Sequence, residues 1–274
     1  MGRVIVLGSI NVDLETKLDS YPNPGEKVVG ESLQRYAGGK GANQAVAARA
    51  RGVDVEMVGA VGDDDAGRAS LNRLFAKGIK LRVERIPRVP TGHALVFSDG
   101  RTNAIVVLPG ANAKVETGAL RPIRGFGEGD LLLTQLETPV EAVVDAVRYA
   151  QRYGARVVIN LAPFAELPAD VIKAADPLVI PAPDLAAFEA LGVKPKSLVV
   201  LRGREGLDWD GEHIPGPVVP DHEVVDTVGA TDALIGTLAA ELVKGADRHA
   251  AAYAGLSAAA DSVRHHGAQP DPRL

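Results

Sequence analysis

The sequence predicts an α/β fold in which parallel strands alternate with helices. Short apolar runs recur along the 274 residues, and helical patterns separate most of them. Hydrophobic residues make up 46% of the chain, which is ample for one large domain or two small ones. Two further stretches have strand-like patterns with no helix between their strands, so they are expected to form sheet outside the main α/β layer.

Six apolar runs are predicted to be buried strands of the main sheet. They cover residues 4–7, 53–58, 130–136, 156–160, 178–180 and 197–201. The helix between the third and fourth runs has strong boundary signals. Thr138 is its expected N-cap, Pro139 takes the first helical position, Glu141 completes a capping box and Gly154 follows the last turn.

An earlier helix is expected to place Leu71, Leu74 and Phe75 on one apolar face and to end at Gly78. The acidic run 63–65 before this helix has the composition of a metal site. Capping of the helix by a solvated acidic turn is nevertheless the preferred interpretation, because the run directly precedes the helical pattern.

Composition and charge exclude several classes of function. The formal net charge is −5 and the isoelectric point is near 5.7, so the chain has no field that would attract nucleic acid or an anionic membrane. The absence of cysteine excludes disulfides, thiolate zinc sites and cysteine nucleophiles. No apolar stretch is long enough to span a bilayer and no signal-peptide pattern is present, so the expected location is the cytoplasm.

The segment GATD at 229–232 has the features of a phosphate site. It lies between the strand-like residues 223–225 and an alanine-rich run at 233–243. A helix that begins there would leave its first N–H groups free to attract an anion. Because a carboxylate would repel phosphate at that position, Asp232 is interpreted as a base that takes a proton from an attacking nucleophile, with helix capping as the alternative.

A second glycine-rich segment, AGGKGANQA at 37–45, precedes a helical run at 46–51. Its glycines allow the backbone to approach a ligand closely, while Lys40 and Asn43 offer hydrogen-bond donors at the start of a helix. The segment is not a P-loop, because the Gly-Lys-Ser/Thr ending is missing.

Together the two segments resemble the motifs of the ribokinase family of sugar and nucleoside kinases, often called the PfkB family. Five more segments resemble this family in the same order, at 4–13, 21–26, 110–112, 133–137 and 267–270. The resemblance covers nearly the whole chain. It implies a ribokinase-like three-layer α/β/α sandwich in a single domain, 1–274, with a small β-sheet lid formed by about 15–36 and 89–108.

The resemblance also implies an activity and its partners. The expected reaction transfers the γ-phosphoryl group of ATP to a primary hydroxyl of a sugar, with ribose as the favoured substrate. ATP and Mg²⁺ are the implied cofactors, and a monovalent cation, usually K⁺ in this family, is expected as well. Lids of this family often pair between subunits, so a homodimer through the lid is expected.

The family's functional residues correspond to matching positions of this chain. Asp232 is the expected catalytic base, and the expected anion hole consists of Gly229, Ala230 and Thr231. The implied sugar-binding residues are Asn11, Asp13, Gly39, Lys40, Asn43 and Glu137. The implied nucleotide-binding residues are Arg202, Gly203 and Gly206. The implied residues for the monovalent cation are Asp226 and Val228.

Several of these positions have a structural alternative. Asn11 and Asp13 would also shape a turn, and Glu137 would also precede a helix cap. Arg202 would also be a plain exposed arginine, and Asp226 would also end a strand. The resemblance supports the functional roles as a set, whereas each alternative would have to arise separately.

Three departures from the family pattern concern the nucleotide side. Thr231 stands where the family has glycine, which predicts backbone strain if φ is positive and crowding of the phosphate path if it is negative. The family's Asn-x-x-Glu motif is replaced by APDL at 182–185, and no helix is expected between 193 and the next strand. These departures leave two alternatives to an active ribose kinase: a sugar-binding or regulatory protein without efficient transfer, and a kinase of a nucleoside or another sugar.

Overall fold

The computed structural model describes residues 2–99, 103–270 and 273–274. The strands in this part of the chain are β1 (Val4–Leu7), β2 (Asn11–Lys17), β3 (Gln34–Gly38), β4 (Val55–Gly62), β5 (Lys80–Ile86), β6 (Gly92–Ser98), β7 (Asn103–Leu108), β8 (Leu131–Thr134), β9 (Arg156–Asn160), β10 (Leu178–Pro181), β11 (Leu198–Leu201), β12 (Leu207–Trp209) and β13 (Glu212–Ile214). The helices are α1 (Lys40–Ala50), α2 (Asp65–Ala76), α3 (Val140–Arg152), α4 (Ala169–Ala174), α5 (Leu185–Glu189), α6 (Ala230–Val243) and α7 (Arg248–Ser262).

The main sheet has the strand order β13-β12-β11-β10-β9-β8-β1-β4-β5. The strands from β11 to β5 run parallel, whereas β12 and β13 pair antiparallel at one edge. Central strands such as the VIVL of β1 are buried throughout, as expected for parallel strands that helices cover on both faces. All six predicted strands lie in this sheet, which confirms the predicted α/β class.

Helices cover the main sheet on both faces. On one face, α1, α2, α6 and α7 pack against strand residues that include Val6 and Leu133. On the opposite face, α3 and α4 pack against the intervening residues, among them Ile5 and Leu132. Successive side chains of a strand point to opposite faces, so this alternation produces the three predicted layers. Within the described ranges, no helix combines the length and the apolar character needed to cross a membrane.

A separate four-stranded sheet forms the lid, in the order β3-β2-β6-β7. β2 pairs antiparallel with β3 and parallel with β6, and β6 pairs antiparallel with β7. These strands come from the two stretches predicted to form the lid, although residues 100–102 lie outside the described residues. The lid sheet begins before residue 15, because β2 already pairs with β3 at Asn11 opposite Gly38. Asn11 and Asp13 are therefore strand residues rather than parts of a turn.

Helix α2 begins as the sequence predicts. Asp64 is its N-cap and accepts a hydrogen bond from the Gly67 N–H at 2.8 Å, which confirms capping by the acidic run. Leu71 and Leu74 are buried, but Phe75 is 74% exposed, so its predicted place on the apolar face is wrong. The buried residues of α2 follow a stripe with spacings of three and four that ends at Leu74, and Phe75 lies outside it.

Two other local predictions are wrong. Helix α3 begins one residue later than predicted, because Pro139 has an extended ψ of 133° and occupies the N-cap position. The Thr138 hydroxyl is buried without a hydrogen-bond partner in the described chain, so Thr138 does not cap the helix. The strand-like residues 223–225 form no strand: Glu223 ends a 3₁₀ turn that begins at Asp221, and the Val225 N–H donates to the Val263 carbonyl at 2.8 Å.

Glu56 is a buried acidic residue in β4, the strand next to the edge strand β5, and 2% of its surface is exposed. Lys80 Nζ and Arg82 Nε of the neighbouring strand β5 lie 3.0 and 3.1 Å from its carboxylate oxygens, and Arg3 also donates to it. Burial raises the pKa of Glu56, but the hydrogen bonds from Lys80 and Arg82 and the charges of Arg3 and Lys80 together hold that pKa below its ordinary value. The cluster thus holds an ionised carboxylate inside the sheet.

Candidate active site

The glycine-rich segment joins the lid to the carboxyl end of β1. Gly39 precedes α1 with φ of 89°, and a Cβ there would lie 2.8 Å from both the Asn11 nitrogen and the Ser9 oxygen. A Cβ on Gly41 would lie 2.6 Å from the Gly8 carbonyl carbon. Only glycine permits this conformation and this close contact, so the start of α1 packs directly on the turn that follows β1.

Helix α6 begins at the second motif. Gly229 is the N-cap with φ of 79°, and a Cβ on it would lie 2.3 Å from the Ala268 Cβ. The first intrahelical bond runs from the Ala233 N–H to the Gly229 carbonyl at 2.8 Å. The N–H groups of Thr231 and Asp232 precede this bond and are therefore directed out of the end of the helix, where an anion would be stabilised.

Asp232 is buried, with 4% of its surface exposed, although it lies in the first turn of α6. Asn43 Nδ2 donates to its Oδ2 at 3.0 Å, and Gln44 Nε2 donates to its Oδ1 at 2.9 Å. No side chain caps α6, so the capping alternative for Asp232 does not describe this helix. Burial raises the pKa of Asp232, while the charge of Lys40 and the two amide donors oppose this rise.

Four charged groups converge beside the start of α1. The charges of Asp232, Glu137 and Asp13 raise the pKa of Lys40, with Asp232 contributing most, while burial opposes them. Burial is also the main reason that the pKa of Asp13 is raised to about 7. Asp13 Oδ1 is buried without a hydrogen-bond partner in the described part of the chain. It is therefore an acceptor suited to a hydroxyl of a bound ligand.

Hydrogen bonds from neighbouring loops fix two more of the predicted sugar-site side chains. Glu137 accepts from the Ser9 hydroxyl at 2.5 Å and from the Lys40 N–H at 3.2 Å. Asn11 Oδ1 accepts from Asn112 Nδ2 at 2.7 Å. All six predicted sugar-site residues therefore lie around the junction of β2, the start of α1 and the loop after β8.

Sequence reasoning missed five residues that hold this site together. They are Ser9, Gln44, Asn112, Gln135 and Gln269. Each lies inside or next to a segment that the sequence analysis singled out. The sequence does place an amide or a hydroxyl side chain inside or beside each motif, which could have indicated a role in the site. It does not show which residue each of these groups would contact.

A cavity of ≈ 380 Å³ opens beside the start of α6. Gly203, Gly206, Thr227, Ala230 and Thr231 line it, together with apolar residues of α7 and of the loop after β13. Because Ala230 and Thr231 of the first turn of α6 line it, the cavity suits a nucleotide whose terminal phosphate reaches the helix end.

Arg202 does not line this cavity. Its Nε and Nη2 both donate to Asp208 Oδ2, at 2.8 and 2.6 Å, and this ion pair holds the guanidinium against β12. Arg204 lines the cavity instead and pairs with Asp221. The structure therefore brings Gly203 and Gly206 to the cavity but leaves Arg202 outside its lining.

Asp226 joins two loops behind the start of α6. Its Oδ1 accepts from the Val228 N–H at 2.9 Å, and its Oδ2 accepts from the Gly267 N–H at 2.8 Å. Each carboxylate oxygen keeps a lone pair after it accepts one hydrogen bond. The predicted cation residues, Asp226 and Val228, are thus adjacent in the structure.

Asn160 is a further polar residue at the carboxyl end of a parallel strand. It ends β9 and is fully buried, and both atoms of its amide lack a hydrogen-bond partner in the described chain. Val158, two residues earlier, packs in the cluster that contains α6. Since residues two apart in a strand share a face, Asn160 lies on the α6 side of the sheet.

The family model for the pfkB family of carbohydrate kinases matches residues 1–273. The chain belongs to the pfkB family. It is 36% identical to the ribokinase of Bacillus subtilis, over 98% of this chain and 95% of that protein. Among solved structures, ribokinase from Thermotoga maritima is similar at a TM-score of 0.86 and 28% identity, covering 100% of this chain and 97% of that one. Arabidopsis thaliana ribokinase, complexed with ribose and ATP, has a TM-score of 0.85 and 25% identity, covering 100% of this chain and 96% of that one.

Membership of the pfkB family confirms the predicted fold and the predicted class of enzyme, an ATP-dependent sugar kinase. The structure also shows how the chain accommodates threonine at position 231, where the resemblance predicts glycine. The positive φ of this turn falls on Gly229, whereas Thr231 is helical and lies outside the positive-φ residues of the described chain. Threonine therefore causes no backbone strain here, and its exposed side chain points into the cavity.

The departure at 182–185 remains in the structure. Residues 182–184 form a 3₁₀ turn after β10 and lead into the short helix α5, where Asp184 makes no cap hydrogen bond. These residues do not line the 380 Å³ cavity. The segment 182–185, where the resemblance places an Asn-x-x-Glu motif, thus forms a turn and the start of α5.

Proposed function

We propose that this protein transfers the γ-phosphoryl group of ATP to the primary hydroxyl of ribose. The observation that carries the proposal is the position of Asp232. Its buried carboxylate accepts hydrogen bonds from Asn43 and Gln44 of α1, and its chain neighbour Thr231 lines the cavity at the start of α6. The names of the relatives support ribose as the acceptor.

In the proposed reaction, Asp232 acts as the base. The sugar O–H bond breaks as its proton moves to Asp232, the oxygen bonds to the γ-phosphorus, and the bond between that phosphorus and the ADP oxygen breaks. The N–H groups of Thr231 and Asp232 then face the negative charge on the transferred group, whereas the Ala230 N–H donates to the Thr227 carbonyl at 3.4 Å. Gly229 allows the turn that brings them there.

The sugar would be held by dense, directional hydrogen bonds. Asp13 and Glu137 accept from hydroxyl groups, whereas Lys40 and Asn43 donate to them. Asn11 and Gly39 complete the set, since Asn11 is fixed by Asn112 and Gly39 allows the backbone to approach the ligand. The free, buried Oδ1 of Asp13 supports this arrangement, because a hydroxyl donor would satisfy it.

The nucleotide would occupy the cavity beside α6, with Gly203 and Gly206 allowing close approach. Arg202 would bind a phosphate only if its guanidinium left Asp208. Its proposed role in nucleotide binding is therefore less well supported than those of Gly203 and Gly206. Thr231 narrows the phosphate end of the cavity without distorting the helix.

Two cations fit this proposal. Mg²⁺ neutralises the phosphates of ATP in such transfers. Among the described residues, no group of three or more acidic, histidine or cysteine side chains is placed to hold a metal ion, so this ion would be carried mainly by the phosphates. The free amide of Asn160 suits its water shell. K⁺ would be held by Asp226 and by carbonyl groups near Val228, where it would fix the two loops that support the start of α6.

The lid edge supports a homodimer. β7 is the outer strand of the lid sheet, and its residues Ile105, Val106, Val107 and Leu108 are between 47% and 53% exposed. An apolar edge strand of this kind is suited to pairing with a second copy. Light scattering at micromolar concentration should give the mass of two chains, and Val106→Glu should give the mass of one. A monomeric wild-type protein would contradict this part of the proposal.

ADP release with Mg²⁺ and K⁺ tests the substrate. The panel comprises ribose, deoxyribose, fructose, adenosine and no sugar. Ribose should give the highest kcat/KM. A larger value with adenosine would favour a nucleoside kinase, and ribose binding without ADP release would favour a sugar-binding protein that has lost transfer.

A further inference from the structure

Two chains of amide side chains end at Asp232, one on each carboxylate oxygen. In the first, Gln135 donates to Gln44 Oε1 at 2.7 Å, and Gln44 donates to Asp232 Oδ1 at 2.9 Å. In the second, Gln269 donates to Asn43 Oδ1 at 2.9 Å, and Asn43 donates to Asp232 Oδ2 at 3.0 Å. All four amides are buried, with at most 6% of their surface exposed.

The sequence of donors and acceptors gives each chain a direction. If Gln44 turned end over end, its carbonyl oxygen would face Asp232, and two acceptors would oppose each other unless the carboxyl carried a proton. The same rotation would place the NH₂ group of Gln44 against the NH₂ group of Gln135. The outer amide therefore opposes the orientation that would favour protonated Asp232.

We propose that Gln135 and Gln269 are positioning residues for phosphoryl transfer. Neither hydrogen bonds to Asp232, yet each orients the amide that does, so both carboxylate oxygens keep an N–H donor. The ionised base is thereby stabilised inside the protein before the sugar hydroxyl gives up its proton. This inference rests on the proposed role of Asp232 as the base.

The chain through Gln135 is closely packed at its outer end. A Cβ on Gly8 would lie 2.0 Å from Gln135 Oε1, so the amide of Gln135 packs directly against residue 8. Gln135 Oε1 has no hydrogen-bond partner in the described part of the chain, although it is buried. Gln269 Oε1, by contrast, accepts from Arg73 at 3.4 Å. Gln135 is thus buried with its carbonyl oxygen unpaired in the described part of the chain. Its short hydrogen bond is the one that its NH₂ group donates to Gln44.

Other charged groups also act on Asp232, and they stay in place when Gln135 is replaced. Lys40 at the start of α1 lowers its pKa, and Glu137 after β8 raises it. Asp13 of β2 also interacts with it. A change in the titration of Asp232 in a Gln135 variant would therefore report the loss of the amide chain.

The test uses Gln135→Met, which keeps the length of the side chain but removes its donor, and Gln135→Glu, which keeps the shape and loses the donor when ionised. Gln151→Met, at an exposed position of α3, is the matched control. The first readout needs no turnover: the ¹³C signal of the Asp232 carboxyl carbon, assigned by its loss in Asp232→Asn, is titrated by NMR. Its pKa should rise by at least about half a unit in both Gln135 variants and stay at the wild-type value in the control.

The second readout is the pH profile of ribose phosphorylation. In both Gln135 variants kcat should fall roughly tenfold to hundredfold, with its acid limb moved to higher pH, while ribose affinity changes less than threefold. An unchanged Asp232 pKa in folded Gln135→Met would overturn the inference. So would a loss of kcat with an unmoved acid limb and an equal loss of ribose affinity, since that is the result of general disorder at the site. If the wild type lacked ribose-dependent ADP release while the pKa of Asp232 still shifted in the Gln135 variants, the proposed function would be wrong. The effect of the amide chain on Asp232 would then still be supported.

Discussion

The titration of Asp13 should make ribose binding depend on pH near neutrality. Burial is the main cause that raises the pKa of this carboxyl to about 7, and the charges of Glu137, Asp232 and Glu15 add to it while Lys40 opposes them. Sugar hydroxyls donate to the ionised carboxylate, so binding selects the ionised form. The ionised fraction is roughly one tenth at pH 6, one half at pH 7 and nine tenths at pH 8, and ribose affinity should rise about tenfold over this range.

Isothermal titration calorimetry of ribose binding at pH 6, 7 and 8 measures this dependence. Two buffers with different ionisation heats should show that binding at pH 7 releases about half a proton. Asp13→Asn should weaken binding at pH 8 and remove both the pH dependence and the proton release. An affinity that is constant from pH 6 to pH 8 in the wild type, or a dependence that persists in Asp13→Asn, would refute the reasoning.

The same carboxyl should affect stability with a defined sign. Its folded pKa of about 7 lies above the ordinary value of 3.8, so the folded state binds the extra proton between these values. The free energy of unfolding should therefore fall as pH rises from 4 through 7, by at most roughly 4 kcal/mol. Urea unfolding of Asp13→Asn should lack this slope, and an unchanged slope would contradict the assignment.

Three further substitutions test the fold around the site. Gly229→Ala should lower the free energy of unfolding by roughly 1–3 kcal/mol more than Gly52→Ala, because both residues have positive φ but only Gly229 meets a neighbour; equal losses would reject the clash. Glu56→Gln should lower the free energy of unfolding by roughly 1–3 kcal/mol at pH 7, a modest loss because the cationic partners of Glu56 are partly exposed. The difference in stability between wild type and variant should vanish as pH falls through the lowered pKa of Glu56. Thr231→Gly should destabilise the protein by up to about 1 kcal/mol, because the residue is helical; a stabilised variant would show that threonine strains the turn.

Much of the fold follows from local patterns that the chain keeps in the folded state. The buried strands of a parallel sheet are continuous apolar runs, so β1 and β9 have the bounds that the sequence predicts. The short edge strand β13, with the sequence EHI, carries no such signal. The start of α3 was mispredicted because an extended Pro139 excludes Thr138 from the cap, and residues 223–225 lacked a partner strand in the described sheet.

The candidate site was predictable to the extent that its residues lie in motifs. Asp232, Lys40 and Asn43 converge in the structure, as the resemblance implies. The amide chains were not predictable, because Gln269 and Asn43 are 226 residues apart in sequence and their contact depends on how the last loop packs. The pairing of Arg202 with Asp208 was missed for a different reason: a phosphate and a nearby carboxylate both suit an exposed arginine, and sequence alone does not choose between them.

The most direct test of the central claim compares the wild type with Asp232→Asn. Ribose-dependent ADP release is measured with Mg²⁺ and K⁺ at pH 8, and ribose binding is measured by calorimetry on the same samples. The asparagine variant should bind ribose within a few fold of the wild type but turn over roughly 10²- to 10⁴-fold more slowly, because only the base is lost. Near-normal turnover in the folded variant would contradict the account.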